Sequence, residues 1–120
     1  MSFKATVRHT GDVAIIDLAG RLTLGDGSGT LRSTIKDLIA QGGKKVLVNL
    51  KEVTYIDSSG LGEMISSYAS VTNTGGQIKL LGAQDRVRDL LTITKLYSVF
   101  EDFSNEAKAV ASFGAEAARA

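Results

Sequence analysis

The amino-acid sequence predicts an α/β fold: one mixed β-sheet, with an N-terminal antiparallel hairpin followed by a parallel run of strands, packed with about four helices. Two observations carry this prediction. From residue 45 onwards, short runs rich in β-branched residues alternate with segments whose apolar residues recur at helical spacing. Before that point, two strand-like segments follow each other across the turn sequence Thr10-Gly11-Asp12. Alternating strands and helices give parallel pairing through right-handed crossovers, whereas a tight turn gives an antiparallel pair.

The expected elements follow in the order β-β-α-β-α-β-α-β-α. The expected strands are residues 3–9, Val13–Leu18, Lys45–Leu50, Gln77–Leu81 and Tyr97–Phe100. The expected helices are one between Gly29 and Gly42, then Ser58–Asn73, Gln84–Leu91 and Asn105–Ala118, the last capped by Ser104. The apolar stripes expected on these helices are, in chain order, Leu31, Ile35, Leu38 and Ile39; Leu61, Met64, Ile65, Tyr68, Ala69 and Thr72; Val87, Leu90 and Leu91; and Ala107, Val110, Ala111 and Phe113.

Length and composition favour a single globular domain. The chain has 120 residues, and we expect one domain over 1–120 with a core of about 5–113 and a frayed tail from Ala115. The net charge of +1 gives no electrostatic case for nucleic acid or for an anionic membrane. No apolar run approaches the length of a bilayer span, so we expect no membrane insertion. The sequence contains no cysteine, which excludes disulfides and thiolate catalysis and fits a cytoplasmic protein.

The chain is organised around the stretch from Val46 to Gly62, where a buried strand gives way to a helix. The transition falls at Asp57-Ser58-Ser59-Gly60. The first four N–H groups of a helix lack intrahelical partners, and the positive end of the helix dipole favours an anion such as a phosphoryl group. A serine hydroxyl at this position is therefore well placed to carry a removable charge. The alternative is that Asp57 or Ser58 is only an N-cap.

Motifs for catalysis or cofactor binding are incomplete in this sequence. The run Gly25-Asp26-Gly27-Ser28-Gly29-Thr30 lacks the third glycine of a dinucleotide-binding loop, and no phosphate-binding lysine follows it. A hydrolase nucleophile elbow would need glycine where Ile56 stands, and the single histidine, His9, lies much earlier in the chain. The carboxylates do not cluster at metal-ligand spacing. We therefore expect no enzyme activity, no cofactor and no metal.

Four segments carry a resemblance to a known family. The run Val53-Thr54-Tyr55-Ile56-Asp57-Ser58-Ser59-Gly60-Leu61-Gly62 closely resembles the signature of STAS domains, and more narrowly that of bacterial anti-sigma factor antagonists. Leu18-Ala19-Gly20-Arg21-Leu22-Thr23 resembles the family's G-x-L segment. Residues 46–50 and 75–80 resemble its central strand and the entry to its next strand. The resemblance extends from about residue 5 to residue 113.

This resemblance implies a regulatory switch. In the family, the serine that follows the aspartate is phosphorylated by a partner that is both a serine kinase and an anti-sigma factor; by motif match that serine is Ser58. The unphosphorylated antagonist binds the anti-sigma factor and frees the sigma factor, and a phosphatase resets the switch. The domain is then expected to act as a monomer or weak dimer.

The resemblance also implies a partner surface at the start of the second helix. The residues expected there are Asp57, Ser58, Ser59, Gly60, Leu61, Gly62, Thr23 and Asp26. Some family members carry an acidic residue where this chain has Thr23, and Asp26 is a candidate substitute. Ser59 is a second possible phosphate acceptor. The alternative function is a STAS scaffold subunit, in a stress-signalling complex or beside a lipid transporter, without reversible phosphorylation.

Overall fold

The computed structural model describes residues 3–24 and 29–119, with side chains described as far as Gly114. The strands are β1 (Lys4–Thr10), β2 (Val13–Leu22), β3 (Lys45–Ile56), β4 (Gln77–Leu81) and β5 (Asp102–Phe103). The helices are α1 (Thr30–Ala40), α2 (Ser58–Asn73), α3 (Asp85–Ile93) and α4 (Glu106–Arg119), with a 3₁₀ turn at Leu96–Ser98. None of the helices in the described part of the chain is long and apolar enough to cross a membrane.

The strands form one mixed sheet in the order β1-β2-β3-β4-β5. β1 and β2 form the expected antiparallel hairpin, and the remaining neighbours pair in parallel. The predicted fold class is therefore confirmed. Long pairing between β2 and β3 continues to Leu22 and Ile56, so the end of β2 lies beside the start of α2.

Both faces of the sheet are covered. The larger core lies between one face and α1, α2 and α3, and it includes Ile16 and Val48 from the central strands. The smaller core lies on the opposite face, where Ile15 and Leu47 pack with Phe113 of α4. Successive residues of a strand point to opposite faces, so the nearly continuous apolar runs of β2 and β3 supply both cores.

The predicted strand Tyr97–Phe100 is wrong. This segment overlaps the 3₁₀ turn at Leu96–Ser98, and the last strand is the two-residue β5. Lys95 adopts a left-handed conformation with φ 62°, and the Phe100 N–H donates to the Leu96 carbonyl at 2.9 Å. The buried ring of Phe100 packs edge-on against Tyr68, with ring centroids 5.6 Å apart. Of the apolar residues that suggested a strand, Phe100 therefore anchors this turn in the core, whereas Tyr97 and Val99 are exposed.

Two predicted strand ends, one helix cap and two helix faces also need correction. β2 and β3 extend beyond Leu18 and Leu50 to Leu22 and Ile56. The α4 cap is Asn105, whose Oδ1 accepts the Lys108 N–H at 2.9 Å, rather than Ser104. In the part of α4 whose side chains are described, Ala109 and Phe113 are fully buried, whereas Ala107 and Ala111 are exposed. The buried residues of α2 are Gly60, Glu63, Met64, Ser67 and Val71, whereas Ile65 and Ala69 are exposed.

Candidate functional site

The candidate site lies where β3 ends and α2 begins. Asp57 is the N-cap of α2, with the extended backbone that this position requires, and its Oδ1 accepts the Gly60 N–H at 2.9 Å. The Asp57 N–H in turn donates to the Leu22 carbonyl at 3.3 Å. The start of α2 is therefore attached to the carboxyl ends of both β2 and β3.

The second carboxylate oxygen of Asp57 binds the chain that follows β2. Asp57 Oδ2 accepts the Leu24 N–H at 3.1 Å. The pKa of the Asp57 carboxyl is held below its ordinary value, chiefly because it accepts the Gly60 N–H and then the Leu24 N–H. Asp57 is therefore the N-cap of α2, as the alternative interpretation expected, and it also links the start of α2 to the chain that follows β2.

The Ser58 side chain is exposed at the first residue of α2. Its hydroxyl makes no hydrogen bond with the described residues, and no acidic side chain occupies the first turn of the helix. Ser59 is half-buried, which makes it the less accessible of the two hydroxyls. The hydroxyl that is open to a second protein is therefore that of Ser58.

The two glycines of the motif have different surroundings. A Cβ atom on Gly60 would lie 2.1 Å from the Leu22 carbonyl oxygen, so only glycine allows α2 to approach β2 this closely. A Cβ atom on Gly62 would meet nothing within 4 Å. Gly60 therefore faces the sheet and has a packing role, whereas Gly62 lies on the side that a partner could approach.

Glu63 is a site residue that the sequence prediction missed. It is only 3% exposed, and its carboxyl group accepts the Gly29 N–H and, at 3.2 Å, the Arg32 N–H. Gly29 is the N-cap of α1 and has no side chain with which to cap that helix. Glu63 of α2 supplies the cap instead. The available sequence signal was a glutamate three residues after Gly60 and one before Met64, on the packed face of an amphipathic helix.

The other predicted site residues divide into two groups. Thr23 and Leu61 are half-buried beside the start of α2, Thr23 directly after β2 and Leu61 within the helix. Asp26 lies outside the described residues. The described residues contain no cluster of three His, Asp or Glu side chains that could hold a metal ion.

A hydrolase site that pairs Ser58 with the single histidine, His9, as in a Ser-His-Asp triad, finds no support in this arrangement. His9 pairs with Ala14 across the hairpin. Leu22, beside the site, lies eight residues further along β2 than Ala14, which corresponds to about 25 Å of extended strand. A hydrogen bond between His9 and Ser58 would need a separation of about 3 Å.

Comparisons with known proteins identify the family. The family model of the STAS domain matches residues 4–109. The chain therefore belongs to the STAS domain family. It is 28% identical over 101 residues to an anti-sigma-B factor antagonist of Bacillus subtilis, covering 84% of this chain and 91% of that protein. It is 25% identical over 111 residues to an anti-sigma F factor antagonist of Paenibacillus polymyxa, covering 92% of this chain and 94% of that protein.

A solved structure shows the same fold. The phosphorylated form of the Bacillus cell fate determinant SpoIIAA superposes with a TM-score of 0.71 at 22% identity, covering 93% of this chain and 99% of that one. The likeness covers nearly the whole of both chains, so the two proteins share this fold.

The surroundings of the two glycines predict opposite effects of the same substitution. Gly60→Ala should lower the free energy of unfolding by at least about 2 kcal/mol, because its methyl group would overlap the Leu22 carbonyl. Gly62→Ala should raise it by about 0.5–1 kcal/mol, because alanine replaces glycine in an open helical position. Urea unfolding of both variants measures the difference; equal effects would contradict the close approach at Gly60.

The hydrogen bonds of Asp57 predict a pH-dependent contribution to stability. Its pKa is lower in the folded than in the unfolded protein, so its contribution is fully present above the unfolded value of about 4 and is lost as the pH falls through the folded value. Asp57→Asn keeps a capping side chain but removes the charge. The stability gap between wild type and this variant should therefore be largest above about pH 5 and should shrink below it. A gap that does not change between pH 2 and pH 7 would contradict the assignment.

Proposed function

We propose that this protein is an anti-sigma factor antagonist controlled by phosphorylation of Ser58. The unphosphorylated form binds an anti-sigma factor that is also a serine kinase, and this binding releases the sigma factor. Phosphorylation ends the binding, and a phosphatase restores it. The observation that carries the proposal is the exposed, internally unbonded hydroxyl of Ser58 at the start of α2. The names of the two relatives support the same role.

The site supplies an acceptor for phosphoryl transfer and leaves catalysis to the partner. Phosphoryl transfer needs bound nucleotide, Mg²⁺ and a group that positions the hydroxyl. The described residues around Ser58 offer an exposed hydroxyl on a fixed helix start, with Asp57 committed to capping. The kinase would therefore contribute ATP, the metal and the catalytic base. In this proposal the chain acts in the cytoplasm, as a monomer or weak dimer, and is not itself an enzyme.

The free protein can accommodate a phosphate at Ser58. The group adds about −1.5 to −2 charges at neutral pH. The N–H groups and the dipole at the start of α2 favour this charge. Asp57 opposes it, but the repulsion between exposed charges is partly screened by salt. The phosphate should therefore leave the fold of the free protein nearly unchanged.

The same charge is unfavourable once the partner covers the site. A surface shaped for a neutral hydroxyl would bury the phosphate without a counter-charge, which typically costs about 2–5 kcal/mol. This cost corresponds to an affinity loss of about 30-fold to several thousand-fold. We therefore propose that the switch works through local charge and desolvation.

The function is tested with the serine kinase–anti-sigma factors encoded in the genome that carries this chain, called here the candidate kinases. One of them, with ATP, should add a single phosphate to Ser58. Phosphopeptide mass spectrometry locates the phosphate, and calorimetry compares the affinity of that kinase for the two forms. Ser58→Ala should abolish modification, whereas the matched variant Ser59→Ala should retain it.

Three results would contradict the proposal. Phosphate on Ser59 alone would show that Ser59, and not Ser58, is the phosphate acceptor. Equal affinity of the kinase for both forms would show that phosphorylation does not control binding. A wild-type chain that no candidate kinase modifies, and that copurifies with a large assembly or a transporter, would favour the scaffold alternative.

A further inference from the structure

Two carboxylates, one on the N-cap of α2 and one within that helix, bind the chain on either side of residues 25–28. Asp57 accepts the Leu24 N–H, and Glu63 accepts the Gly29 N–H. Both acceptors lie within six residues of the start of α2, the helix that carries Ser58. The position of Leu24 and of the start of α1 relative to Ser58 is therefore set by these two side chains.

Glu63 is unusual among the polar side chains on the packed faces of the described helices. It is almost completely buried between α1 and α2, and both of its hydrogen bonds go to backbone N–H groups of the other helix. The N-terminus of α1 carries the positive end of a helix dipole, so an acidic side chain is favourable there. If the only purpose were to stabilise α1, a residue with a capping side chain at position 29 could cap that helix without help from α2. This chain instead has Gly29 at that position, with φ 89° and no side chain.

We infer that Glu63 is a positioning residue for recognition of Ser58: it fixes the start of α1 beside the start of α2, so that the kinase binds both together. This inference rests on the proposed function. The hydrogen bonds of Glu63 go to Gly29 and Arg32 and not to Ser58 or Asp57, so it acts on docking of the kinase and not on the transfer step. The exposed neighbour that it holds in place is Arg32, whose backbone N–H donates to it, whereas the exposed Leu24 is held by Asp57.

The decisive measurement is steady-state phosphorylation of Ser58 by the candidate kinase that modifies the wild type. Glu63→Gln keeps the side-chain shape but offers one acceptor oxygen in place of two, so one N–H of the α1 start loses its partner. The KM for this variant should rise about 2- to 30-fold, with kcat unchanged. Ile35→Val, a buried substitution within α1 that destabilises the same helix away from its start, is the matched control and should leave KM at the wild-type value.

A second pair of variants tests the contact between Gly29 and Glu63 by changing the residue at the start of α1. Gly29→Ala disfavours the left-handed backbone that points the Gly29 N–H at Glu63, and nothing lies within 4 Å of the added methyl group. Gly29→Asn is the matched control, because asparagine tolerates that conformation. The KM should rise for the alanine variant and stay near the wild-type value for the asparagine variant. Amide exchange at Arg32 should accelerate more in Glu63→Gln than in Ile35→Val, because Glu63 accepts the hydrogen bond of that N–H.

Each outcome decides between defined alternatives. If wild type is phosphorylated but Glu63→Gln keeps the KM of Ile35→Val, Glu63 is only a structural cap and the inference is overturned. A fall in kcat at constant KM would also overturn it, since Glu63 would then act on the transfer step. If no candidate kinase modifies the wild type, the proposed function fails and the inference fails with it.

Discussion

The close approach between the start of α2 and the end of β2 is the constraint on which the site depends. Gly60 allows it, because any side chain there would overlap the Leu22 carbonyl. The Asp57 N–H bonds to that same carbonyl, and the Asp57 carboxylate then ties both Gly60 and Leu24. A short backbone contact thus fixes the helix start, and the Ser58 hydroxyl is exposed as a result.

The same arrangement explains how one small domain can respond to a single charge. The positive end of a helix dipole is a favourable place for an anion, and at α2 it is exposed at Ser58. At α1 the equivalent end is already occupied by the buried Glu63. Both helix starts therefore carry a capping carboxylate, Asp57 at α2 and the buried Glu63 at α1. The difference is that the start of α2 also presents the exposed Ser58 hydroxyl, which is the acceptor in the proposed modification.

The sequence was sufficient for the sheet, for the start of α2 and for the Asp57 cap, because these depend on local patterns: β-branched runs, helical spacing and a capping residue. The sequence was insufficient for β5, because a strand of two residues is too short to show an alternating apolar pattern. The apolar Phe100, which suggested a strand, belongs to a helical turn. Glu63 could not be assigned because its partners, at Gly29 and Arg32, come from a different helix. The distinct roles of Gly60 and Gly62 likewise depend on which face of α2 meets the sheet.

The central claim is that phosphorylation changes the charge of a fixed site and does not refold the domain. Amide chemical shifts of the free and the Ser58-phosphorylated protein test it most directly. We predict changes confined to the start of α2 and to the residues tied to it, such as Leu24 and Gly60, with the rest of the described sheet unchanged. Shift changes spread across the strands and all four helices would contradict the account.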